Sequence, residues 1–151
     1  SGIYCPFTFE ANVNVHMNDV LIPVTMCHEL SHLSGYMRED EANFIAFLAC
    51  LQSDDPEFRY SGVYLASVHA MNALLTVDSD LWNQADALKS DALRRDIRSN
   101  NAYWKQYETP VSEVSDRVND AYLKANGQEN GLRSYGRMVD LLLAYYRDEL
   151  Q

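Results

Sequence analysis

His28-Glu29-Leu30-Ser31-His32 constrains this chain more than any other stretch of it. Residues four apart on an α-helix project from one side, so these two imidazoles reach a common point only if the segment is helical. The flanks agree. Pro23 suits a helix start, Met26, Leu30 and Leu33 recur as an apolar stripe, and Gly35 can end the helix. At 100° per residue the two His point about 140° away from that stripe, which is expected to face the core.

Two imidazoles on one helix face can hold a metal ion. Adding a carboxylate and leaving a fourth position open to water fits zinc. Glu29, between the imidazoles, is the natural general base for that water. The carboxylate is sought in Arg38-Glu39-Asp40-Glu41-Ala42-Asn43-Phe44, within a helix expected over 38–52 and broken by Asp54-Asp55-Pro56. Phe44, Phe47, Leu48 and Leu51 give that helix a bulky face, and Ala42, Ala46 and Ala49 a small one. Glu39 and Asn43 lie beside the small side, where another helix can approach. Glu41 lies nearer the bulky stripe, where an unpaired charge is costly. Glu39 is therefore the favoured third ligand, with Asn43 able to hydrogen-bond a ligating group and Glu41 as the alternative. The plainer reading is that these acids only complement the helix dipole. Because six residues separate His32 from Glu39, the chain must reverse sharply at Ser34-Gly35. If that turn cannot close, Glu41 is the better ligand.

Elsewhere, Val13, Val15 and Met17 alternate with polar neighbours and predict a strand over 13–17, ahead of an Asn18-Asp19 turn. Such a strand could pair with an extended peptide or be covered by its own chain. Helices are expected over 61–76, 79–99, 110–125 and 134–150, the third opened by Thr109-Pro110 and closed by Asn126-Gly127. With 47% hydrophobic residues and only six Gly and four Pro, 1–151 reads as a single packed domain, mainly α with a small N-terminal β element. A net charge of -10 without a Lys/Arg cluster argues against nucleic acid and against an anionic membrane surface. The longest apolar runs, 20–24 and 141–146, are far shorter than the ~20 residues of a transmembrane helix. Cys5, Cys27 and Cys50 lack CxxC spacing, which excludes a thiolate zinc knuckle and leaves one bridge possible. Cys27 reads as a small buried hydrophobe, and His16 and His69 as single core or surface residues.

The run HELSHLSGYMREDEANF resembles the gluzincin class of zinc metallopeptidases, in which HExxH is followed by an E-x-x-A-N or E-x-x-A-D helix. That resemblance implies a zincin or minimal-gluzincin domain and carries the ligand role onto Glu39, with Asn43. Together with GIYCPFTFEANVN, FRYSG and AYLKANGQENGLRSYGRMVDLLLAYY, the run is closer still to a bacterial domain-of-unknown-function family numbered 3810, of membrane-anchored HExxH proteins. The likeness covers most of the chain. It implies a zinc-dependent peptidase-like domain at the bacterial cell membrane, extracytoplasmic and tethered by N-terminal transmembrane segments ahead of Ser1. The family-like segments Arg59-Tyr60-Ser61 and Ser134-Tyr135-Gly136-Arg137 offer phenol and guanidinium donors to an oxyanion, Tyr135 ahead of Tyr60. The expectation is a metallopeptidase acting on a peptide or protein, with Zn2+ on His28, His32 and Glu39, Glu29 as base and Tyr135 as donor. The alternative is a zinc-binding sensor or interaction domain with little or no turnover. A purely structural zinc needs no adjacent base and closes its fourth position with protein, so the motif favours the enzyme.

Overall fold

The computed structural model describes residues 1–107 and 134–149, the side chains of 134–136 and 149 excepted. The chain opens with an antiparallel hairpin, β1 (Gly2–Cys5) and β2 (Glu10–Val13), registered Gly2 to Val13 and Cys5 to Glu10. The strand expected over 13–17 is therefore corrected: only Val13 belongs to one. Asn14 explains the difference. Its side chain accepts the His16 N–H at 2.9 Å, giving the backbone a local turn in place of a strand partner.

A 3-10 turn (Asp19–Leu21) leads into α1 (Ile22–Leu33), followed by α2 (Glu39–Leu51), α3 (Pro56–Val77), α4 (Ser79–Ala87), α5 (Asp91–Lys105) and α6 (Ser134–Glu149). The mainly helical class with a small N-terminal sheet is as expected. Two boundaries move. The Asp55 carboxylate accepts from the Glu57 N–H with Pro56 in the first turn, so α3 starts five residues before the expected 61. Ser90 Oγ accepts from the Leu93 N–H, and this cap divides the single helix expected over 79–99 into α4 and α5. The helix expected over 110–125, with Thr109-Pro110 and Asn126-Gly127, lies outside the described residues.

The two faces read from the α2 sequence pack as separate cores. Phe47 is buried with Ala66 of α3 and with Met138 and Leu142 of α6, while Phe44, Leu48 and Leu51 pack around them. On the small side, Ala46 and Cys50 meet Val24 of α1. Ala49, assigned to that small face, is exposed. The N-terminus of α1 has no side-chain cap of its own, since Leu21 stands at the cap position. Ser61 of α3 supplies one, accepting the Val24 N–H at 3.0 Å and donating to the Val20 carbonyl at 2.6 Å.

The Met26, Leu30 and Leu33 stripe does not face the core. These residues are 41%, 51% and 40% exposed, and the buried residues of α1 are Val24, Glu29, Ser31 and His32. The reason is what covers the helix: α2 and the hairpin both close on the His/Glu side, leaving the apolar stripe to solvent.

Next to Ser61, Gly62 lets α3 lie against α2. A Cβ there would fall 2.6 Å from Cys50 Cβ and 3.3 Å from the Phe47 carbonyl oxygen. Gly62→Ala is expected to destabilise the fold by about 1–3 kcal/mol through overpacking, read from urea unfolding. An unchanged midpoint would show that the helices have room to part.

Candidate metal centre

The site begins with the turn that stops α1. The Gly35 N–H donates to the His32 carbonyl at 3.0 Å and the Tyr36 N–H to the Ser31 carbonyl at 3.1 Å. These are the two bonds of a Schellman motif, and Gly35 takes the positive φ of 99° that it requires. The reversal brings Glu39, first residue of α2, back over the last two turns of α1. Glu39 Oε2 lies 3.2 Å from His28 Nε2, and Oε1 3.5 Å from His32 Nε2. The two Nε2 atoms are 3.1 Å apart. One ligand atom from each of His28, His32 and Glu39 falls within 4.8 Å of the others, so the three could hold a metal ion. Glu41 sits 3.5 Å from Arg38 Nε, and Arg38 also reaches the buried Asp40 carboxylate at 2.9 Å. Asn43 stands half-buried one turn beyond Glu39.

The surroundings orient the converging side chains. His32 Nδ1 donates to the Tyr36 carbonyl at 2.7 Å, which leaves Nε2 as the nitrogen facing Glu39. His28 Nδ1 is buried without a hydrogen-bond partner among the described residues. Hydrogen bonds from His28 and His32 pull the Glu39 carboxyl down to about 2, and the bond to Glu39 raises His32 above its ordinary value. Glu29 is only 4% exposed. Burial raises its pKa, the charges of His28 and His32 oppose that, and Glu39 adds to it. Burial thus favours the protonated form of Glu29 more than in a solvated carboxylate, the direction that suits a group that moves protons. His69 of α3 is pushed down to about 4, first by burial and then by the charge of His28, so it stays neutral beside the cluster.

Gly2, Ile3, Tyr4 and Met37 join His28, Glu29, His32 and Glu39 around an open cleft of about 400 Å³. Strand β1 rests directly on Glu29: a Cβ on Gly2 would overlap the Glu29 carboxylate. Sequence reasoning passed over Tyr4, whose ring centroid is 6.4 Å from that of His32. Its signal was the period of two from Gly2, which puts both residues on one strand face once 2–5 is read as a strand.

The other candidates lie elsewhere. The Tyr60 hydroxyl donates to Asp96 of α5, and burial with that acceptor pushes it up to about 12. Tyr60 lines a different cavity, with Pro23 and Pro56, and Arg59 is exposed. Arg137 lines a third, with Arg38 and Glu41. The side chain of Tyr135 lies outside the described residues. His16 is exposed, and His69 is buried without joining the three. Cys27 is half-buried, its sulfur 3.7 Å from that of Cys50.

The opposed shifts define a pH window for the metal-free protein. Glu39, lowered from 4.5 to about 2, contributes stability above pH 4.5 that is lost as pH falls towards 2. His32, raised above 6.5, contributes stability below pH 6.5 that is lost as pH rises through its folded value. With chelator present, the melting-temperature difference between wild type and Glu39→Gln should be largest between pH 4.5 and 6.5 and shrink on both sides. A difference that is flat with pH would refute the ion pairing.

No curated protein and no solved structure is significantly similar to the chain. A family model does match, over residues 1–143, under the description "Protein of unknown function (DUF3810)". That span contains the hairpin, the α1–α2 turn with its three converging side chains, and the start of α6. The chain belongs to the DUF3810 family.

Proposed function

We propose that this chain is a zinc metallopeptidase domain that hydrolyses peptide bonds with His28, His32 and Glu39 as metal ligands and Glu29 as general base. The observation that carries this reading is the convergence of two imidazoles and a carboxylate beside a second, buried acid, at the wall of an open cleft. The donor chemistry fits zinc: two imidazole Nε2 atoms and one carboxylate, with the His32 ring held from behind by a backbone carbonyl. When bound, zinc supplies Lewis acidity to a carbonyl oxygen and brings the pKa of a water towards ~7.

The chain does the rest. Glu29 takes the proton of the attacking water and passes it to the departing amine, a transfer favoured by its raised pKa. Tyr4, the described phenol at the cleft wall, is assigned as donor to the developing oxyanion, and Tyr135 is the second candidate. The likeness to gluzincins and to membrane-anchored HExxH proteins supports a zincin-type domain tethered outside a bacterial cell membrane. No helix of the described residues is long and apolar enough to cross a membrane.

Metal analysis after exhaustive dialysis should find about one zinc per chain, lost in His28→Ala and in Glu39→Gln. Glu29→Gln should keep its zinc while cleavage of a peptide library falls by roughly 10²–10⁴-fold. Wild-type protein that takes up no zinc even on reconstitution would sink this reading. Bound zinc without cleavage in wild type would replace it with a binding domain.

A further inference from the structure

Away from the metal centre, two thiols face each other across the seam between α1 and α2. The Cys50 thiol donates to Cys27 Sγ at 3.7 Å, and both cysteines are free. Cys50 is fully buried in the cluster with Val24 and Ala46, and Cys27 packs at its margin. Cys50 has no room to retreat, because the backbone of α3 at Gly62 closes on it from behind. The two sulfurs therefore face each other with one of them pinned, the arrangement in which a disulfide forms without moving either helix far.

We propose that Cys27 and Cys50 are a redox modification site that forms a reversible intramolecular disulfide stapling α1 to α2. The oxidant is a disulfide, either of a small thiol or of a thiol–disulfide exchange protein. Cys27, the more accessible sulfur, attacks it as the thiolate; the oxidant's S–S bond breaks and one thiol leaves. Cys50 gives up its proton and attacks Cys27 Sγ in the resulting mixed disulfide, and the second thiol leaves. Two protein thiols are oxidised and one external disulfide is reduced to two thiols. The new bond closes the chain from 27 to 50, a loop that holds His28, Glu29, His32, Gly35 and Glu39. Oxidation thus pins together the two helices that carry the cluster, whether or not the cluster holds a metal.

The test treats the full chain with glutathione disulfide or with dithiothreitol, then unfolds, alkylates and weighs it. The oxidised protein should be two hydrogens lighter with one thiol left to alkylate, at Cys5, and should yield a linked Cys27–Cys50 peptide. Its melting temperature should rise by roughly 6–12 °C and return on reduction. Cys5→Ser should keep both effects and Cys27→Ser should lose both, with circular dichroism to verify that each variant is folded. Three alkylatable thiols after oxidation, a persistent glutathione adduct or a bond through Cys5 would overturn the pairing. A Cys27–Cys50 bond that left the melting temperature unchanged would overturn the staple.

Discussion

The candidate site depends on a chain reversal completed within six residues. His32 and Glu39 belong to different helices, yet their side chains must meet over the same turn of α1. Gly35 makes that possible by taking a backbone conformation that costs most other residues roughly 1–2 kcal/mol. The same turn positions the Tyr36 carbonyl behind His32, so the device that ends the helix also fixes the ring it ends on. Helix termination, orientation of the His32 ring and delivery of the Glu39 carboxylate are one local structure.

Around that turn the fold inverts the usual rule for an amphipathic helix. The α1 helix buries Glu29 and His32 and exposes Met26, Leu30 and Leu33. Burying polar groups is unfavourable unless they are paired, and His32 meets that condition through short contacts with Glu39, His28 and the Tyr36 carbonyl. Large apolar cores lie one layer away, where Phe47, Met138 and Leu142 gather. The small residues Ala46 and Cys50 connect the layers by letting α1 settle on α2. A helix that breaks its own hydrophobic pattern while its neighbours keep theirs is the mark of a site rather than of a scaffold.

Much of this was legible in the amino-acid order, for physical reasons that can be named. The i, i+4 spacing of His28 and His32, the small and bulky faces of α2, the role of Gly35 and the approach of Glu39 to the two imidazoles all follow from local geometry. What escaped was tertiary. Nothing in residues 22–33 says that the apolar stripe will be left bare, because that depends on where the hairpin and α2 come to rest. The strand at 2–5 is short and weakly patterned, and Asn14 and Ser90 act by bonding their own neighbours, which hydrophobic periodicity does not register. Tyr4 was missed along with its strand, and the facing of Cys27 by Cys50 has no signature in their spacing.

The contact between Gly2 and Glu29 separates two properties of the site that proximity would seem to join. His28, His32 and Glu39, with the turn between them, form one short continuous segment, so their assembly is a matter of local chain closure and can precede most of the fold. Burial of Glu29 is different, because it requires a strand from the far end of the hairpin to arrive and lie flat against it. The three-residue cluster and the burial of Glu29 are therefore set by different parts of the chain. Under the proposed function, sequence change in the hairpin would alter the surroundings of Glu29 while leaving the His28, His32 and Glu39 geometry alone, giving evolution two independent handles on one small cleft.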